Sequence, residues 1–299
     1  MTKIHRLLSI TALSLAFTSP PLALHAEDRF DILRSYYAVD VHLPLDIETA
    51  TSNDRITEFT FSAFDNERVR ARLERPDPVK FVGKRPVVIL LHGITQSLDQ
   101  WWRTDEGPYS FPAAHRQALV EAGFAVLAID LRNHGARLQG ADFENPYAYL
   151  ENSYFEAVRK MISQSAIDVR RAVQAAETFD FIDPKQISVA GFSLGAWTGL
   201  IATAVEPKID RAVFIGLPFL PPAQGETTHF IAQTEYAPGL VGKQVHFIAG
   251  TTDHFHTREA VDAMMVSLTS DASITWVDSG HDFPRDTAAI TLEHLKGDM

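Results

Sequence analysis

The chain has 299 residues, 45% of them hydrophobic and 22% charged, which is the composition of a folded globular protein long enough to bury a sizeable core. Asp and Glu number 38 against 27 Lys and Arg, a formal charge of -11 without any Lys/Arg-rich block, so nothing in the sequence offers a surface to neutralise a nucleic-acid backbone. Cysteine is absent, which removes thiol nucleophiles, thiolate zinc sites, iron-sulfur clusters and disulfides.

Lys3 and Arg6 precede an uncharged, mostly apolar run at 7–17 (LLSITALSLAF), followed by Pro20, Pro21 and a small-residue exit at Ala26. A bilayer-spanning helix needs about 20 residues, so the run is too short to cross a membrane. The pattern reads as a secretory signal peptide over 1–26, with cleavage near Ala26 and export of 27–299 to the periplasm or the medium. No cysteine follows it to carry a lipid, so no stable membrane anchor is expected.

Downstream, 56–64 (ITEFTFSAF) and 68–75 (RVRARLER) alternate at period two around Asp65-Asn66 and predict an antiparallel hairpin. From Pro86 onward short aliphatic runs alternate with helical patterns. Strands are expected at 87–91, 124–130, 187–191, 211–215, 244–249 and 273–277; several are apolar nearly throughout, as parallel strands covered on both faces are. Helices are expected at 165–179, 194–206, 257–269 and 286–296. The first places Val169, Ala172, Val173 and Ala176 on one stripe. The fold class is therefore α/β, a mostly parallel sheet with helices on both faces. The stretches 132–154 and 217–242 are the least regular; the second, with Pro218, Pro221, Pro222 and Pro238, reads as a loop or small cap rather than a sheet element, and no large lid is expected. Without repeats, low-complexity tracts or linkers, 27–299 reads as one domain.

Gly191-Phe192-Ser193-Leu194-Gly195 matches G-x-S-x-G and sits directly between an expected strand and an expected helix. Such an elbow strains the serine backbone and lifts its hydroxyl above the sheet edge, with the helix N-terminus directed at developing negative charge. A serine hydroxyl needs a general base, and the base an orienting carboxylate. Two later strand ends supply them: His281 in 278–283 (DSGHDF) as the base and Asp253 in 251–253 (TTD) as its acid. Asp278 and Asp282 are rival acids, but they sit so near His281 in sequence that reaching its far nitrogen is awkward. His254 and His256 with Asp253 lack the third spaced ligand of a metal site, and no metal or other cofactor is expected. His92 and His134 read as hydrogen-bonding residues of their turns, and His246 as a buried strand residue. The oxyanion hole is assigned to the backbone N-H groups of Leu194 and of Ile94 in the turn at 91–94 (LHGI). Trp101, Trp102, Tyr109, Phe192, Trp197, Phe219 and Phe255 lie on or beside the same loops and are candidate pocket residues, with plain core packing as the alternative for each.

Five motifs stand in one order: LLHG at 90–93, AIDLRNHG at 128–135, IDPKQISVAGFSLGAWTG at 182–199, AGTTDHF at 249–255 and SGHDF at 279–283. In this the chain resembles the α/β-hydrolase superfamily, and within it the dienelactone-hydrolase-like, acetyl-esterase-like and prolyl-oligopeptidase-like members. Dienelactone hydrolases proper use cysteine where this chain has Ser193, the chain has no room for an oligopeptidase propeller, and the H-G-G-G of hormone-sensitive-lipase-like esterases is missing. The resemblance implies a serine esterase that cleaves small-molecule esters through an acyl-enzyme, and without an evident long lid small to medium acyl groups are expected. An amidase or peptidase using the same triad is the alternative, and a binding protein that has kept only the fold is a further one.

Overall fold

The computed structural model describes residues 26–138, 146–219, 229–268 and 272–297, so all but the last residue of the expected leader lies outside the described residues. Nine strands form one sheet: β1 (Glu48–Ser52), β2 (Ile56–Ser62), β3 (Arg68–Glu74), β4 (Arg85–Leu91), β5 (Ala125–Ile129), β6 (Ile182–Phe192), β7 (Ile209–Ile215), β8 (Gln244–Gly250) and β9 (Ala272–Val277). Their order is β1-β2-β3-β5-β4-β6-β7-β8-β9. β1 to β3 are antiparallel and join the edge of β5 antiparallel; every later pairing is parallel. The strand order therefore reverses around β4, and the carboxyl ends of β4, β6, β8 and β9 open onto one edge, the place where open α/β sheets gather their sites.

Period-two alternation distributes the core over two faces. Val87, Ile89 and Leu91 of β4 point to one face with Val189 and Phe214, under α4 (Phe155–Ala176) and α5 (Leu194–Val205). Val88 and Leu90 point to the other with Ala190, Val213 and Ile248, under α2 (Pro112–Glu121) and α7 (Ala288–Lys296). The remaining helices are α1 (Ala26–Tyr36), α3 (Tyr147–Glu151) and α6 (Arg258–Ser267).

Every strand expected from the sequence is present, and the structure differs at several boundaries and added elements. β6 starts at Ile182 rather than 187, because Ile182 pairs with Arg85 beyond a bulge. The residues of β1 are all exposed and carry no alternation to read; it exists through its pairing with β2. α4 begins at Phe155 rather than 165, directly after the stretch 132–154 read as irregular, within which the short helix α3 and a 3-10 turn at Gly135–Arg137 are formed. Within the other irregular stretch, Gln233–Leu240 forms a 3-10 helix despite Pro238. α1 and α2 were not expected from the sequence either.

A buried ion network ties the hairpin to α4. Asp168 of α4, fully buried, accepts from Arg132 Nε at 2.7 Å and from Arg137 Nη1 at 2.8 Å. The same arginines reach Asp65 and Glu67 at the hairpin tip, which fixes the loop after β5 against both elements.

Candidate active site

The β6–α5 junction carries Ser193 at φ 54° and ψ -115°, a region that a residue with a β-carbon enters only against steric resistance. Its N-H donates to the Ile215 carbonyl of β7 at 2.9 Å, and its own carbonyl accepts from Trp197 N-H in the first turn of α5. The turn closes only because its flanks lack β-carbons. A Cβ on Gly191 would stand 2.2 Å from the Gly195 carbonyl oxygen, and one on Gly195 2.2 Å from that of Leu91. Both obstacles are backbone and cannot swing aside.

Ser193 Oγ lies 2.9 Å from His281 Nε2, and His281 Nδ1 lies 2.7 Å from Asp253 Oδ2. All three are at least nine-tenths buried. Because a carboxylate only accepts, Nδ1 carries the hydrogen and Nε2 is left to accept from the serine hydroxyl. Burial works to raise the Asp253 pKa, but the hydrogen bond and charge of His281, the Phe255 N-H at 2.9 Å and the nearby His256 together hold it below the usual value. The rings of Phe255 and Phe192 flank the imidazole at 4.4 and 5.0 Å between centroids. The rival acids are engaged elsewhere. Asp282 Oδ1 accepts from Tyr109 N-H at 2.9 Å, and Asp278 accepts from the Thr251 hydroxyl at 3.4 Å.

Ile94 and Leu194 stand on the rim with Ser193. Leu194 is the first residue of α5, so its N-H has no acceptor one turn back in the helix. No hydrogen bond among the described residues engages the Ile94 N-H. The turn that presents Ile94 is clamped from two sides. His92 Nδ1 donates to the Gly93 carbonyl at 2.8 Å while its Nε2 accepts from Leu131 N-H at 3.0 Å. Burial pushes the His92 pKa down to about 4, which keeps the neutral tautomer that both bonds need. From the other side Gln100, itself buried, accepts the Gly93 N-H on Oε1 at 3.0 Å. Nothing in the sequence marks Gln100, because a lone glutamine in a short 3-10 turn has no pattern around it. His134 packs 5.1 Å from the His92 ring and bonds the Arg132 carbonyl, outside the Ser193 chain of contacts. His246 is held between Ser273 and Thr275 hydroxyls.

A cavity of about 690 Å³ opens beside Ser193. Its apolar wall is built by Val158, Met161 and Ile162 of α4, Trp197 of α5 and Phe219, with Phe255 and the exposed His254 at the rim. Three expected pocket residues, Trp197, Phe219 and Phe255, line it; the other four do not. Trp101 is wholly buried in the core under α2. Trp102 donates its Nε1-H to Glu74 at 3.0 Å and lies between the Arg72 and Arg116 guanidinium groups. Phe192 points to the α2 face against Phe111, since a strand turns successive side chains to opposite faces. Tyr109, at φ 59°, sits near Phe192. The α4 wall was missed, although Phe155, Val158, Ile162 and Val169 repeat at helical spacing once the helix is begun early enough.

Among the described residues no group of three His, Asp or Glu side chains is placed to hold a metal ion, and no helix is long and apolar enough to cross a membrane. The profile described as the Alpha/beta hydrolase family matches residues 88–241. No curated protein matches the sequence. Among solved structures, the chain is similar to acetyl xylan esterase 1 of a Thermoanaerobacterium species, at 16% identity over 90% of this chain and 92% of that one, with a TM-score of 0.65. An acetyl xylan esterase of a Paenibacillus species gives 16% identity over 91% and 93%, with a TM-score of 0.66. A cold-adapted esterase from an Arctic intertidal metagenomic library gives 20% identity over 84% and 96%, with a TM-score of 0.57. At such identities the structural likeness speaks for the fold, and the matched profile, which covers the elbow and the turn after β4, speaks for descent: the chain belongs to the α/β-hydrolase family.

Proposed function

We propose that this protein is a serine esterase that cleaves small-molecule carboxylic esters with small to medium acyl groups. The observation that carries the reading is the unbroken pair of hydrogen bonds, 2.9 and 2.7 Å, linking Ser193 Oγ through His281 to Asp253 at the rim of an apolar cavity. His281 Nε2 takes the hydroxyl proton as Oγ attacks the ester carbonyl, and the N-H groups of Ile94 and Leu194 receive the oxyanion. His281 then gives that proton to the departing alcohol. It next draws a proton from water, which attacks the acyl-Ser193 carbonyl, and returns it to Oγ as the acid leaves. Asp253, ionised at neutral pH, holds the Nδ1-H tautomer and stabilises the imidazolium. Val158, Met161 and Trp197 suit an acyl chain in the cavity better than a peptide backbone, whose amides would lose water there without partners. Export behind residues 1–26 belongs to the same reading and rests on the sequence.

Purified protein should turn over p-nitrophenyl acetate and butyrate, and Ser193→Ala should lose roughly four to six orders of magnitude in kcat. Undiminished hydrolysis by Ser193→Ala overturns the assignment. Faster cleavage of matched anilides than of esters replaces the esterase with an amidase, and a best rate beyond twelve carbons removes the size limit.

A further inference from the structure

Asp253 is approached by two imidazoles. His281 Nδ1 reaches Oδ2 at 2.7 Å, and His256 Nδ1 stands 3.6 Å from the same oxygen. His256 is buried, with its side chain only 2% exposed. Its other nitrogen, Nε2, bonds the Gly250 carbonyl at 3.1 Å. A carbonyl only accepts, so Nε2 carries the hydrogen of the neutral ring, and Nδ1 faces the carboxylate with a lone pair and no hydrogen-bond partner. A positive charge on His256 works to lower the Asp253 pKa. An orphaned lone pair beside an anion is unfavourable, and a proton placed on Nδ1 turns the contact into a charge-assisted hydrogen bond.

We propose that His256 is a positioning residue for Asp253: its Nδ1 competes with His281 for Oδ2, and a proton bound there draws the carboxylate off His281 and switches the Ser193 chain off. This rests on the esterase reading of Ser193, His281 and Asp253. When His256 takes a proton from solvent, Oδ2 gains a second strong donor, and the His281 imidazole loses the orientation that keeps Nε2 aimed at Oγ. The two protons are coupled through one carboxylate, so the first proton bound belongs to the pair rather than to either ring. Charged and titratable groups stand around His256 on three elements. Asp253 faces it directly from its own loop, His281 from the loop after β9 shares the same Asp253 oxygen, and the exposed His254 packs against His281. From α6, the Arg258 guanidinium lies over the Trp276 ring whose edge packs against His256.

The acid limb of the kcat/KM–pH profile tests this, measured on the full chain for wild type, His256→Gln and His256→Asn. Removing the competitor should move the acid midpoint to lower pH, by about 0.3 unit if the two rings share the first proton equally and by more if His256 is favoured. A purely structural role changes the plateau and leaves the midpoint where it was. Identical midpoints, or a move to higher pH, overturn the proposal. The wild-type protein supplies an independent readout that survives misfolding of either variant. The His256 ring nitrogens, followed by 15N NMR, should pass from the Nε2-H form to the doubly protonated form over the pH interval of the acid limb. A His256 ring that stays neutral through that interval refutes the competition. Loss of turnover in Ser193→Ala shows that the measured activity belongs to Ser193, so failure at His256 is then distinct from failure of the esterase reading.

Discussion

Ser193 holds a backbone conformation that costs of order 1–3 kcal/mol for a residue bearing a β-carbon, and it is kept there by the Ile215 carbonyl and the first turn of α5. The hydroxyl gains a fixed position at the cavity from that strain. Ser193→Ala and Ser193→Gly both remove the nucleophile, so their difference isolates the β-carbon. Glycine enters this region freely but loses more chain entropy on folding, about 0.5–1 kcal/mol. Ser193→Gly should therefore be the more stable of the two by about 1 kcal/mol, read as a higher midpoint in urea, while both remain inactive. A less stable glycine variant contradicts the strain. At this scale the sequence was most legible where pattern and chemistry coincide. Ser193, Asp253 and His281 each end or follow a strand that reads clearly, and each is a residue type that the reaction needs. His256 and Gln100 were illegible for the opposite reason: their roles lie in a 3.6 Å approach and a 3.0 Å hydrogen bond that no spacing encodes.

Elements were legible in proportion to how completely their surroundings dictate side chains. β4 to β8 are covered on both faces, and continuous apolar runs announced them. β1, exposed along its whole length, has no such constraint, and the first turns of α4 bury a single stripe that shows its spacing only when the helix is begun at Phe155. The junction of α4 with the hairpin is held instead by charge, and there the balance depends on burial. Asp168 is fully buried against Arg132 and Arg137, so Asp168→Ala leaves two buried guanidinium groups short of their counter-charge and should cost about 3–5 kcal/mol. Glu156 and Arg159 also pair on α4, but Glu156 is exposed to solvent, and Glu156→Ala should cost under about 0.5 kcal/mol. Urea midpoints of the two variants compare them directly. Equal losses would mean that the Asp168 network is as solvated as the surface pair. Loss of Asp168 should also lower activity, because α4 supplies the cavity wall through Val158, Met161 and Ile162.

For the whole molecule, the buried histidines set how stability responds to acid. Burial lowers His92 to about 4 and His115 and His134 to about 3, against an ordinary value of 6.5. Each is neutral in the fold and binds a proton more readily once unfolded, so the unfolded state holds more protons at every pH between these limits. The stability contributed by the neutral rings is complete above pH 6.5 and declines as pH falls towards 4 and then 3. Each ring adds a slope of up to about 1.4 kcal/mol per pH unit. Asp253, Asp65 and Asp99, held below the usual carboxylate value, extend the decline below pH 4. Asp130, raised by burial, acts in the opposite sense within the carboxylate range. His115 lies between the hydroxyls of Thr287 and Thr291, joining α2 to the start of α7. His115→Gln can keep a donor and an acceptor between those hydroxyls but cannot titrate. Urea midpoints at half-unit steps from pH 7 to pH 4 should fall less steeply in His115→Gln than in wild type, by about 1.4 kcal/mol per pH unit. An unchanged slope would remove His115 from the groups that make the fold acid-sensitive.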